Sequence, residues 1–262
     1  MLAADLLAAY DNQVRTQLGG RLPPGWSMSW DGPVLRVSGG YRGFVCYRDL
    51  AGLAGPALDA LLDRTCAHYD ARGEGFEWKW HSHDQPPELA ERLLAHGFVP
   101  EEPETVLVGL AAELTDSPAL PAGVRVREVT KEADLRRIGD LEGEIWDADW
   151  SWLAEDLIAR RKLDPELLAV YAAEAGGRFV SAAWLSLNPG TEFAGLWGGS
   201  TLAAWRGRGI YRTLVARRAQ RAVRCGYRYL QVDASSDSQP ILHRLGFVAI
   251  TGTRPYIHQP PD

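Results

Sequence analysis

Cysteine is scarce in this chain, and the three present, Cys46, Cys66 and Cys225, are odd in number and widely scattered. That excludes a disulfide framework and a zinc cluster and leaves them as small core residues. No metal is expected. His81-Ser82-His83-Asp84 would put two histidines on one face of an extended segment, but no third ligand stands nearby, so the stretch reads as a surface turn. No apolar run approaches the ~18 residues that a membrane span requires. Met1-Leu2-Ala3-Ala4-Asp5 lacks the basic flank of a signal peptide, so a cytoplasmic location is expected.

The longest stretch without acid lies in the second half. From Phe193 through Val232 there is no aspartate or glutamate, whereas Arg206, Arg208, Arg212, Arg217, Arg218, Arg221, Arg224 and Arg228 all fall there. The chain as a whole is acidic, with a net charge of −6. Its acid is concentrated in residues 1–115, which carry nine basic and sixteen acidic side chains; residues 116–262 carry nineteen and eighteen. An arginine-rich helix would suit nucleic acid, but the acidity of the chain as a whole argues against that partner. Arg217, Arg218 and Arg224 read as a solvated helix face.

Within that acid-free stretch lies Trp205-Arg206-Gly207-Arg208-Gly209-Ile210-Tyr211, between a strand-like run (192–202) and a long helix (about 210–225). A glycine turn opening a helix leaves several backbone N–H groups without partners, aimed at one point together with the positive end of the helix dipole. Glycine lets the backbone come close to a phosphate or take φ > 0. The turn is no Walker A loop, because Gly-Lys-Ser/Thr is absent, and Arg212 stands where the third glycine of the dinucleotide fingerprint belongs.

The turn resembles the R/Q-x-x-G-x-G/A signature of the GNAT superfamily of N-acetyltransferases, with Arg206 and Gly209 matching and Tyr211 in place of the small last residue. The following helix, the strand 229–234 and a short helix running into Leu245-Gly246-Phe247 extend the resemblance to the C-terminus. Upstream, an alternating strand (124–129), helices near 131–145 and 150–161, and a hairpin of strands 167–173 and 179–187 complete the family's order of elements. The resemblance implies a mixed α/β fold, a largely antiparallel central sheet flanked by helices. It implies acetyl-CoA as co-substrate and a small-molecule amine as acceptor. It also implies that Thr201, Leu202 and Ala203 meet the pantetheine arm, and that backbone from Arg206 and Gly207 through Arg208, Gly209, Ile210 and Tyr211 to Arg212 meets the pyrophosphate. The amide near Leu202 would polarise the thioester carbonyl.

The family's usual acid–base positions fall here on Gly195 and Leu242, neither of which can move a proton. Glu192 is the nearest carboxylate on the same strand, with Glu144, Asp147 and Asp149 as further candidates; His243, Tyr211 and Tyr256 are possible donors. Ser235 and Ser238 are placed either to bond pantetheine or to cap the last helix. Trp146, Asp147, Asp149 and Trp150 lie in the acceptor-binding region and suit a cationic amine through ring faces and charge. A coenzyme-binding sensor without turnover is the alternative.

The first half gives a fainter echo. A helix (56–71) with Leu58, Leu61, Leu62 and Cys66 on one face leads to the alternating Phe76-Glu77-Trp78-Lys79-Trp80, then to a helix ending in His96-Gly97-Phe98, then to a closing strand 104–110. This suggests a tandem chain, a degenerate unit over 1–115 and the acetyltransferase unit over 116–262. Asp49 to Gly55, ahead of the first-half helix, has no arginine, so that unit is expected not to bind the coenzyme in the usual way.

Overall fold

A computed structural model describes residues 2–17 and 21–261. The first half contains α1 (Ala3–Gln13), β1 (Ser27–Asp31), β2 (Val34–Ser38), β3 (Gly43–Cys46), α2 (Gly55–Asp70), β4 (Phe76–His81), α3 (Leu89–Ala95), β5 (Val99–Pro100) and β6 (Glu104–Leu110). The second contains β7 (Val124–Glu128), α4 (Glu132–Trp146), α5 (Ser151–Leu163), β8 (Leu168–Ala175), β9 (Arg178–Leu187), β10 (Phe193–Thr201), α6 (Ile210–Arg224), β11 (Tyr229–Ala234), α7 (Gln239–Arg244) and β12 (Val248–His258). The expected fold class is what is found: a mixed α/β structure whose strands pair mostly antiparallel, with helices on the sheet.

All the strands join in one sheet, in the order β1-β2-β3-β4-β12-β6-β11-β10-β9-β8-β7, with β5 against β12. The last strand of each half has crossed into the other. β6 lies between β11 and β12, and β12 lies between β4 and β6. Sequence explains why β6 tolerates the middle of the sheet. Val106, Leu107 and Val108 are consecutive and fully buried, an unbroken apolar run suited to a strand covered on both faces. Among the described residues, only β3–β4 and β10–β11 pair in parallel, one pair in each half.

α6 shows how the sequence reading went wrong about one arginine. Ile210, Leu214, Val215, Ala219 and Ala222 form its core face, but Arg218 is on that face too and is only 1% exposed. Its Nη1 donates to the carbonyls of Trp184 (3.3 Å) and Trp197 (3.1 Å), and its Nε to that of Leu214. Trp184 and Trp197 are paired residues of β9 and β10, immediately before a bulge between Gly198 and Ser200. A bulge interrupts the ladder and leaves backbone groups in need of partners. The buried guanidinium supplies them, at the cost of desolvation, which draws its pKa down to about 10. Arg218→Met would keep the apolar stem but abandon those carbonyls. We expect it to lose about 2 kcal/mol of stability in urea unfolding; an unchanged midpoint would show that they find other donors.

Candidate active site

β10 and β11 pair only at Phe193–Tyr229, Ala194–Leu230 and Gly195–Gln231. β10 then runs on to Thr201 beside β9 while β11 continues beside β6, so a split opens in the sheet beyond Gly195. At its far end the chain turns through Gly207 (φ 72°) and Gly209 (φ 79°) into α6. Thr213 is the first residue of that helix whose amide meets a backbone acceptor, at Gly209 O. Among the described residues, the amides from Gly207 to Arg212 have no protein acceptor. The turn is not plugged: a Cβ at Gly207 would meet nothing within 4 Å, and Arg206, Arg208 and Arg212 are exposed.

Other expected coenzyme contacts fall into place unevenly. Arg206 Nε is bonded to Thr201 O at 3.0 Å, fixing the two ends of the turn. A Cβ at Gly209 would press on Pro118 at 3.3 Å, so this glycine accommodates the chain between the halves as well as the turn. Tyr211 lays its ring on the bulge, 2.7 Å from where a Gly199 Cβ would stand. The amide of Leu202 is not available for a thioester carbonyl, because it donates to Val180 O at 3.0 Å. Ser235 and Ser238 bond each other in the turn before α7, and Ser238, at the N-cap, makes no side-chain bond to the helix.

The proposed acid–base residues do not gather at the split. Glu192 lies at the closed end of β10, exposed, bonded to the side chain of Gln13 at 3.1 Å and facing Arg228 at 3.5 Å. His243 is exposed on α7, with Nδ1 donating to Phe247 O. Tyr256 is buried in the first-half core, its strand paired at that point with Trp78 and Pro100. Leu242 is fully buried. At Gly195, the indole Nε1 of Trp197 sits 2.8 Å from the place a Cβ would take, so a larger residue there would have to displace that ring.

A cavity of about 690 Å³ lies on the face of the sheet carrying Gly195, Trp197, Gln231 and Asp233, between the two halves. The second half adds Trp150, Trp152 and Trp184; the first adds Tyr10, Lys79 and His81. Of the expected acceptor residues, Trp150 is on its wall. Trp146 is exposed at the end of α4, with Nε1 donating to Glu142 Oε2 at 2.9 Å and lying 3.3 Å from Ser200 Oγ. Asp147 takes the left-handed conformation that ends α4, and Asp149 accepts the Ser151 amide at the start of α5. The Asp149 carboxylate is thus occupied at a helix start, and Asp147 serves a helix end through its backbone. Glu144 pairs with Arg178.

Sequence reasoning missed the charged floor. Lys79 Nζ lies 2.6 Å from Asp233, 3.7 Å from Glu104 and 3.9 Å from Glu77, drawing together β4, β11 and β6. One ammonium faces three carboxylates. Burial would lower the Lys79 pKa, but Asp233, Glu77 and Glu104 outweigh it and raise it well above the usual value. Burial, reinforced by Asp233 and Glu77 and opposed by Lys79, pushes Glu104 up to about 7. Glu142 is also missed, a carboxylate 1% exposed whose pKa burial raises.

The His81–Asp84 segment is no surface turn. His81 Nε2 is 3.2 Å from Tyr10 Oη, Arg15 pairs with Asp84 at 2.7 Å, and His83 bonds Asp11 and Thr251. Burial first, then Arg15 and Lys79, take the His81 pKa down to about 2, so it is neutral. The described residues hold no group of three or more metal-ligating side chains, and no helix long and apolar enough to cross a membrane. Cys46 and Cys66 are half-buried, whereas Cys225 is exposed at the end of α6 rather than in the core.

The matching split of the first half, between β3 and β4, is filled. Tyr47 and Leu50 are buried, and Tyr47 Oη donates to Asp84 at 2.6 Å and lies 3.2 Å from Lys79 O. Arg15 covers the ring at 4.7 Å. The turn ahead of α2 has Asp49 bonded to the Ala51 amide and Pro56 in the first turn of the helix, so charge and missing N–H both disfavour an anion.

An open split beside a bulged strand thus leads to free amides at a helix start. Residues 135–247 match the family model described as "Acetyltransferase (GNAT) family". No curated protein matches the sequence at a significant level. Among solved structures, a GCN5-related N-acetyltransferase from Kribbella flavida is similar over 100% of this chain and 96% of its own, with 16% identity and a TM-score of 0.67. A tandem GNAT protein from the clavulanic acid biosynthesis pathway is similar over 99% and 96%, with 14% identity and a TM-score of 0.62. At these identities the likeness is one of fold, and it extends to both halves.

Proposed function

We propose that this protein transfers the acetyl group of acetyl-CoA to the amine of a small acceptor. One observation carries the reading: the β10–β11 split ends at a turn whose amides, Gly207 to Arg212, are without partners. Those amides bind the pyrophosphate, assisted by Arg206, Arg208 and Arg212. Thr201 to Ala203 flank the pantetheine arm, which places the thioester further back along β10, near the bulge. The acceptor enters from the cavity on the Gly195 face, and Asp233 lies on β11 two residues beyond Gln231, at the edge of the split.

Proton transfer falls to the carboxylates around Lys79. The acceptor ammonium gives one proton to Glu104, and the free amine attacks the carbonyl carbon. The C–S bond breaks, and the second proton leaves with the sulfur as a thiol. A carboxylate titrating near neutrality is well matched to that task. Burial raises Glu104 towards neutrality, which suits it to take the proton.

Release of free thiol from acetyl-CoA across a panel of amines, read alongside calorimetric binding of acetyl-CoA, tests the proposal. Turnover with at least one amine supports it. Tight binding with no turnover across a broad panel would favour a sensor, the reading that Gly195 and Leu242 at the usual acid–base positions support. Absence of binding would overturn both.

A further inference from the structure

The cavity between the halves has a sidedness that the acetyl-transfer reading leaves unused. Charge is gathered on its β4–β11 side, around Lys79 and Asp233. Aromatic surface is gathered on the other side of the split. Trp197 on β10 and Trp184 on β9 are directly paired across neighbouring strands and both line the cavity. Trp197 is 47% exposed, a large ring left open in the middle of a concave surface. Trp152 extends the wall on α5. It stacks on Trp150 at 5.3 Å and on Tyr41 of the first half at 4.5 Å, with an interplanar angle of 19° for the latter. The ring series therefore continues from one half of the protein to the other.

Strand spacing turns this into a ruler. Neighbouring strands lie about 4.8 Å apart. Trp197 faces Asp233 across the open split, and Trp184 stands one paired strand beyond Trp197. The split that holds the thioester runs between the first two. A nitrogen held at Asp233 is beside the split, and whatever carries it extends over the indoles of β10 and β9. Gly195 leaves that path low, since the Trp197 indole, not a side chain of its own, covers it.

We infer that the acceptor is a primary amine on a flat aromatic body: its ammonium docks at the Asp233 side of the split, and its ring lies on Trp197 and Trp184. The inference rests on the acetyltransferase reading for the role of the site, but its test separates the two. Indole and phenyl rings gain from stacking on such a wall, whereas a polyamine or an aliphatic amine of the same reach leaves the tryptophans without a partner.

The probes are 2-phenylethylamine and tryptamine, against n-butylamine and spermidine, with the full chain and acetyl-CoA. We expect kcat/KM to be at least about tenfold higher for the two aromatic amines, and Trp197→Ala to remove most of that advantage by raising KM. Trp197 is half open, so the variant should retain the wild-type melting temperature, which is checked alongside. Equal or better turnover of the aliphatic amines overturns the inference while leaving acetyl transfer intact. If no amine is turned over, saturable quenching of tryptophan fluorescence by the aromatic amines decides. Quenching that Trp197→Ala weakens about tenfold supports the site; no saturable quenching, or quenching unchanged in the variant, overturns it.

Discussion

Gly207→Asp is expected to weaken acetyl-CoA binding about a hundredfold in a protein that still folds. The backbone there has φ 72°, and a Cβ would find open space. Aspartate tolerates this left-handed conformation better than most residues, for about 1–2 kcal/mol. Its carboxylate would then sit among the free amides of the turn, a permanent competitor for donors that otherwise meet the diphosphate. A hundredfold loss is about 2.7 kcal/mol, the scale of one displaced charge-assisted contact plus repulsion. Calorimetry with acetyl-CoA and a thermal melt of the same sample check both halves of the expectation. Unchanged affinity would take the phosphate away from this turn. Gly209 is a poorer place for the experiment, since a side chain there also disturbs Pro118.

The turn was legible because its chemistry is local. Gly207, Gly209 and the arginines between and around them define a helix start within seven residues, and the alternation of neighbouring strands fixes where it lies. The same holds for α2, whose buried Leu58, Leu61 and Leu62 are the face that periodicity predicts. What could not be read is what the chain brings together from afar. Lys79 and Asp233 are 154 positions apart, and only the crossing of β6 and β12 sets them face to face. The exchange itself leaves a signal in hindsight: β6 is too uniformly apolar for a strand closing the edge of a small unit. Arg218 was read as solvated because charge normally is, and the counterexample depends on a bulge that no propensity encodes. Glu192 looked attractive as the strand's one carboxylate, but a strand has two ends, and it stands at the closed one.

Glu104→Gln should separate stability from catalysis, moving them in opposite directions. In the folded protein burial and the carboxylates of Asp233 and Glu77 push Glu104 up to about 7, from an ordinary 4.5. A raised carboxylate pKa means that the folded state prefers the protonated form. The group's favourable contribution is therefore complete below about 4.5 and is lost as pH rises through about 7. The two and a half pH units between these values correspond to about 3 kcal/mol above neutrality. Glutamine cannot ionise, so at pH 8 the variant should unfold at higher denaturant than the wild type, with the advantage shrinking towards pH 5. Catalysis should go the other way. With Glu104 as proton acceptor, kcat/KM of the wild type falls about tenfold per pH unit below 7. The variant should lose about a hundredfold at pH 8 and lack that acid limb. The groups facing Glu104 are Lys79 and Glu77 from β4 and Asp233 from β11, and none is altered by the change. A variant that becomes more stable yet keeps both its rate and its acid limb would move the proton acceptor elsewhere, and Glu142, buried beside Ser200 with Oε1 unpartnered, would then be the carboxylate to replace next.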